Sequence, residues 1–148
     1  MDVELRAVTE ENFRDVVNLE VRPEQAGFVA PNVRGIAETY IYPGAEPRAV
    51  YAGDELVGFV LLHPGDRPGE HLLVRLMIDH RFQGRGLGRA ALEAAVDHVV
   101  REHKAESVRL SFVPSNERAR ALYLSAGFVE TGEVDEGETV MVRTISTS

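Results

Sequence analysis

Leu76-Met77-Ile78-Asp79-His80-Arg81-Phe82-Gln83-Gly84-Arg85-Gly86-Leu87-Gly88-Arg89 decides the fold of this chain. The run that leads into it, Leu72 to Ile78, is apolar and reads as a buried strand. A short polar turn follows, with glycines at alternate positions. Ala90-Ala91-Leu92-Glu93-Ala94-Ala95-Val96 then reads as a helix. Strand, glycine turn and helix together expose backbone N–H groups to a phosphate. Glycines remove the Cβ atoms that would block close approach. The first N–H groups of the helix lack intrahelical partners and sit at the positive end of its dipole. Arg85 and Arg89 add fixed positive charge. A diphosphate is the natural ligand of such a turn.

Two other phosphate-binding turns fit less well. A Walker loop needs Lys-Ser or Lys-Thr after its second glycine, where Leu87-Gly88 stands. A dinucleotide fingerprint is closer, because Gly86, Gly88 and Ala91 match its permissive form. That fingerprint expects an acidic residue about twenty positions on, at the end of the next strand. Glu106 has the distance but stands at the start of that strand. The chain remaining after the turn is also too short for the second half of a two-half nucleotide fold.

A second segment carries independent information. Asn116-Glu117-Arg118-Ala119-Arg120-Ala121-Leu122-Tyr123-Leu124-Ser125-Ala126-Gly127-Phe128 begins with a helix-capping residue and closes on Gly-Phe. Gln83-Gly84-Arg85-Gly86-Leu87-Gly88 resembles the Q/R-x-x-G-x-G/A signature of the Gcn5-related N-acetyltransferases. The second segment is similar to that family's N-x-x-A-x-x-L-Y-x-x-x-G-F motif. Their order and separation also match, and the resemblance runs along nearly the whole chain. It implies an α/β fold with a mostly antiparallel, mixed sheet of about seven strands and about four flanking helices. A splayed parallel strand pair would stand in the middle.

Composition agrees with one domain. The chain has 148 residues, 44% of them apolar, enough for a substantial core. It has no cysteine, so disulfides, a cysteine zinc site and an acyl-cysteine intermediate are excluded. Transfer would pass directly from donor to acceptor. No signal peptide is read in the first thirty residues, and no apolar run has membrane length. A cytoplasmic protein is expected. The net charge of −8 disfavours nucleic acid and favours cationic ligands. Arg75, Arg81, Arg85 and Arg89 cluster around the glycine turn, so the acidic excess lies elsewhere, much of it in the first third and near the C-terminus. That segregation fits an anionic cofactor at one end and a cationic acceptor at the other.

Along the chain, strands are expected at 3–8, 48–52, 55–63, 72–78 and 107–113, with a final hairpin from Phe128 to Ile145. Helices are expected over 13–20, 33–40, 87–103 and 117–126. Gly53-Asp54 reads as a hairpin turn, and Glu46-Pro47 as a break. Residues 146–148 are expected to fray.

The resemblance implies acetyl-CoA as cosubstrate. Its pyrophosphate would lie on Gln83, Gly84, Arg85, Gly86, Leu87, Gly88 and Arg89. Backbone groups near Met77 and Ile78 would bind the pantetheine arm and the thioester carbonyl. Asn116 would also touch the arm, or cap the following helix. Tyr123 lies seven residues after Asn116, about two helical turns, and so shares its face. It is the expected catalytic residue, protonating the departing thiolate. An alkylammonium acceptor must lose a proton before attack. The candidate bases and acceptor-binding residues are Glu20, Glu24, Glu38, Glu70 and His71. Val74 and Arg75 occupy the strand region where relatives carry a carboxylate. His80, His98 and His103 show no metal-ligand spacing, and no metal is expected.

Within the family, Val21-Arg22-Pro23-Glu24-Gln25, Phe28-Val29-Ala30-Pro31-Asn32 and the segment Thr131 to Val142 resemble bacterial spermine/spermidine (diamine) acetyltransferases. The acceptor implied is a small cationic amine such as a polyamine. An acetyltransferase for another small amine or a protein amine, and a non-catalytic acetyl-CoA-binding module, are the alternatives. Neither nucleic acid nor a membrane is an expected partner, and the reading leaves room for a homodimer.

Overall fold

The computed structural model describes residues 2–145. In chain order it contains β1 (Glu4–Ala7), α1 (Phe13–Asn18), a 3-10 turn (Pro23–Gln25), α2 (Asn32–Ile41), β2 (Glu46–Ala52), β3 (Glu55–Pro64) and β4 (Glu70–Ile78). A second 3-10 turn (His80–Phe82) leads into α3 (Leu87–His103), followed by β5 (Ser107–Phe112), α4 (Glu117–Ser125), β6 (Val129–Asp135) and β7 (Glu138–Thr144). The strands form one sheet in the order β1-β2-β3-β4-β5-β7-β6. Every neighbouring pair is antiparallel except β4 and β5.

Alternation along β3 shows how the layers assemble. Phe59 and Leu61 pack on one face with Val16, Leu19 and Met77, under α1. Val60 and Leu62 pack on the other with Leu92, Val96 and Val99 of α3. All four β3 residues are at most 2% exposed. Burial of each is worth about 1.5–3 kcal/mol. The strand is therefore apolar on both faces, as a central strand covered by helices must be.

Departures from the sequence expectations are small and have local causes. The strand read as 72–78 begins two residues earlier, because Glu70 and His71 pair with Ser107 and Val108. The strand read as 48–52 begins at Glu46 and runs through Pro47. Pro47 is tolerated there because β1 pairs with β2 only from Arg48 onward, leaving Pro47 on a locally open edge. The first helix stops at Asn18 rather than position 20. Fraying was expected of residues 146–148, which lie outside the described residues.

Candidate active site

The turn before α3 has the shape its glycines suggest. Gly84 and Gly86 take φ values of +81° and +78°. A side chain is strained in that left-handed region. A Cβ built on either would meet no heavy atom within 4 Å, so the space above them is open. The Ala90 N–H reaches back to the Gly86 carbonyl at 3.1 Å. The amides of Leu87, Gly88 and Arg89 precede it and have no intrahelical acceptor. This open, electropositive helix end fits a diphosphate.

Asp79 holds the turn in place. It is 1% exposed. One carboxylate oxygen accepts from the Arg81 amide at 3.0 Å and from Arg81 Nε at 2.8 Å. The other accepts from the Glu20 amide at 2.9 Å. The His80 amide in turn donates to the Glu20 carbonyl. Burial pushes the Asp79 carboxyl up, but the bonds from Arg81 and the Glu20 amide outweigh it and hold it below the usual carboxylate range. The chain after α1 is thereby tied to the end of β4.

The parallel pair opens just where β4 approaches this turn. β4 and β5 pair only from Glu70↔Ser107 to Leu72↔Arg109. On its other side β4 keeps pairing with β3, but Leu62 faces Leu73 and Leu61 faces Arg75. Val74 is thus an extra, bulged residue, and a bulge bends its strand. Beyond Leu72 the β5-facing backbone of β4 has no strand partner. The gap is a cleft of about 360 Å³. Met77, Ile78, Gln83, Gly84, Gly86 and Leu87 line it. Gly88, Arg89, Asn116 and Tyr123 line it as well.

Asn116 plays its capping role, accepting from the Ala119 amide through Oδ1 at 3.1 Å. That leaves its amide NH₂ for the cleft. Tyr123 is 9% exposed and packs between Phe112 and Phe128, with ring centroids 5.7 and 6.0 Å away. Burial, helped by the nearby charge of Glu138, pushes its phenol up to about 12. Tyr123 therefore keeps its proton at neutral pH.

A second, wider cleft of about 820 Å³ lies against the first. Leu73, Val74, Arg75, Ser111 and Glu138 line both, so the two clefts meet there. Asp66, Glu70, Asp135 and Glu136 line the second cleft, and no basic side chain pairs with any of them among the described residues. Its cations are largely committed. Arg75 pairs with Glu38 at 3.1 Å, and Arg109 pairs with Glu133. Glu138 accepts from the Ser111 hydroxyl at 2.8 Å. The junction thus brings a carboxylate near a protonated phenol, at the mouth of an acidic cleft.

The sequence pattern described as the Acetyltransferase (GNAT) family matches residues 10–128. The chain is also 32% identical to the spermine/spermidine N(1)-acetyltransferase of Bacillus subtilis strain 168, covering 97% of this chain and 99% of that protein. This chain belongs to the GNAT acetyltransferase family. Solved structures with the same fold include a spermidine N-acetyltransferase from Vibrio cholerae in complex with CoA and spermine. It is 21% identical with a TM-score of 0.76, over 95% of this chain and 93% of that one. An aminoglycoside acetyltransferase in complex with coenzyme A is 21% identical with a TM-score of 0.79, over 97% and 95% of the two chains.

In this GNAT chain the expected cofactor residues converge, with one exception. Arg85 is exposed and does not line the first cleft; its guanidinium lies 5.7 Å from the Phe82 ring. Arg118 does line it, beside Gln83. The five acceptor-side candidates scatter. Glu20 and Glu24 are exposed and line neither cleft. Glu38 is bound to Arg34 and Arg75. Glu70 lines the second cleft near the closed end of the strand pair. His71 is buried and stacks on His103, outside both clefts. Glu138 was not singled out by sequence reasoning. It lies in a polar hairpin segment, and only the antiparallel β5–β7 pairing, which sets Val140 opposite Ser111 and Thr139 opposite Phe112, brings it to the Ser111 hydroxyl.

Proposed function

We propose that the chain transfers acetyl from acetyl-CoA to a primary amine of a small polycation, with spermine or spermidine the leading class. The observation that carries this reading is the junction itself. A cleft that is built on a turn fitted to a diphosphate and lined by Tyr123 meets an acidic cleft at Glu138. The curated relative that covers nearly the whole chain is named for spermine and spermidine, which supports the same acceptor class.

Acetyl-CoA supplies the acetyl group as a thioester; the remaining needs fall to the chain. The amides of Leu87, Gly88 and Arg89, with the glycine turn, hold the pyrophosphate, and Arg118 adds charge beside it. The Asn116 amide and the unpaired backbone of β4 hold the arm. The acceptor enters through the second cleft as an ammonium ion. The Glu138 carboxylate takes its proton, and the freed nitrogen pair attacks the carbonyl carbon. As the new C–N bond forms, the C–S bond breaks. Tyr123 donates a hydrogen bond to the leaving sulfur. A phenol near 12 is a weaker acid than a thiol of ordinary pKa about 8.5. Full proton transfer to the thiolate is therefore uphill, and Tyr123 stabilises it by hydrogen bonding while solvent or the acceptor's second proton completes the exchange.

The test is a panel of amines under matched conditions, read as release of free CoA thiol. Spermine, spermidine and a polycationic aminoglycoside are set against monoamines and neutral-side-chain amino acids. Spermine and spermidine should give the highest kcat/KM. Turnover with monoamines alone would leave an acetyltransferase whose acceptor is not a polycation. Acetyl-CoA binding without turnover of any amine would leave a binding module.

A further inference from the structure

Three histidines outside the clefts, His71, His98 and His103, gather at the far end of α3. His98 and His103 stand eleven and sixteen residues beyond Leu87, which places them roughly 16 Å or more along the helix from the diphosphate turn. Both reach Glu46 at the start of β2. His98 Nε2 lies 2.9 Å from one carboxylate oxygen, and His103 Nε2 hydrogen-bonds the other. The three ligand-capable atoms all lie within 4.8 Å of one another. His71 of β4 stacks on His103, with centroids 4.8 Å apart and planes 17° apart. His98 meets the same ring edge-on at 5.9 Å. The Nδ1 atom of His71 is buried and has no hydrogen-bond partner. Three imidazoles and one carboxylate from three separate elements are more polar machinery than packing a helix end requires.

Two imidazoles and a carboxylate form a donor set that suits a borderline divalent ion. We propose that Glu46, His98 and His103 bind one divalent transition-metal ion, zinc being the best match, and that this ion clamps the end of α3 to β2. Bonds of about 2.0–2.1 Å allow two ligand atoms to be at most about 4.2 Å apart. The widest leg of the triangle therefore has to close. His103 can move to close it, because it is the last residue of α3 and its side chain is 38% exposed. Water completes the coordination on that open side. Arg48 bonds one Glu46 oxygen at 2.8 Å, which leaves the other for the ion. Its charge weakens binding, but a hydrogen bond of this kind also orients a ligating carboxylate. His71, packed flat against His103, fixes the plane of that ring. The site is separate from both clefts, and the ion has no part in acetyl transfer.

The experiment uses the untagged full chain, stripped with a chelator and titrated with zinc sulfate by calorimetry at about pH 7.5, where imidazoles are neutral enough to ligate. His103→Ala and Glu46→Gln are titrated in parallel. Wild type should bind one zinc per chain and gain about 5 °C or more in Tm at saturating zinc. Each variant should lose zinc affinity by about tenfold or more. Without zinc, His103→Ala should melt close to wild type. X-ray absorption of the zinc-loaded protein should show two imidazoles on the ion. Equal affinity in wild type and His103→Ala would put the zinc on some other histidine and overturn the proposal. So would no binding at about 100 μM zinc, a concentration at which a metal held only more weakly adds under 0.5 kcal/mol or so of stability. Should Glu46→Gln fold poorly, His103→Ala carries the comparison alone.

Discussion

In the proposed reaction Glu138 takes the acceptor's proton and Tyr123 donates a hydrogen bond to the leaving sulfur, and their surroundings say how each should respond to change. Tyr123→Phe keeps the ring between Phe112 and Phe128, so stability and acetyl-CoA affinity should change little. Turnover should fall by about a hundred- to a thousandfold, the usual cost of losing one hydrogen-bond donor to developing negative charge. Because the phenol is pushed up to about 12, kcat should show no alkaline fall from it up to about pH 10. A fall near pH 10 that vanishes in Tyr123→Phe would mean an unshifted phenol and an open, hydrated site. Glu138→Gln preserves the acceptor for the Ser111 hydroxyl but removes the base. At neutral pH kcat/KM should drop by about a hundredfold, and its rise with pH should then follow only the amine's own ionisation. A pH profile identical to wild type would return the base role to Glu70 or to water.

At the scale of elements, the site depends on how the end of β4 is held. Gly58 of β3 lets the Met77 carbonyl approach so closely that a Cβ there would lie 2.4 Å from its oxygen. Asp79 then fixes the following turn through the Glu20 and Arg81 amides. Asp79→Asn removes an acceptor oxygen and the charge, and should destabilise the protein by about 1–3 kcal/mol. The pH dependence has a defined sign. Asp79 has a native pKa below its unfolded value of about 3.9, so its stabilisation is complete above about pH 4–5. It is lost as pH falls through the lower native pKa. Denaturant midpoints measured from pH 7 down to about pH 2 should therefore converge between wild type and Asp79→Asn. Parallel curves would show that the carboxylate's charge is not what holds the turn. Loss of this tie should also raise KM for acetyl-CoA, since Asp79 anchors the 3-10 turn that leads directly into the glycine turn.

For the molecule as a whole, charge is distributed by function. The net charge of −8 coexists with an electropositive helix end at the first cleft and unpaired carboxylates around the second. A polycation of the proposed kind would be drawn to the second cleft by several of these charges at once. Its KM should therefore climb steeply between about 0.01 and 0.5 M salt, as the Debye length shrinks from about 30 Å to a few ångströms. A monoamine assayed in the same buffers should change much less. Equal salt dependence for both would mean that one local contact, not the acidic cleft, recruits the acceptor. Among the described residues no helix is long and apolar enough to cross a membrane.

Most of the fold was legible because its signals are local. The Gly53-Asp54 hairpin turn, the glycine turn and the Asn116 cap each depend on neighbours within a few residues. The span of α3, Leu87–His103, matches its expectation at both ends for the same reason. The diphosphate half of the site was legible because it is made of contiguous backbone. The acceptor half was not. Glu38 carries the expected charge, but Arg75 lies far away in sequence and occupies it. Glu138 looks like any hairpin carboxylate until β7 pairs with β5. His98 and His103 of α3 share no familiar ligand spacing, and Glu46, which both of them meet, comes from the distant strand β2. The sequence by itself determined which segments are strands and helices, where a phosphate can sit, and the family. Only the tertiary structure decided which carboxylate stands near Tyr123 where the two clefts meet, because that depends on pairings between strands far apart in the chain, whose cost and reward are settled by packing rather than by local preference.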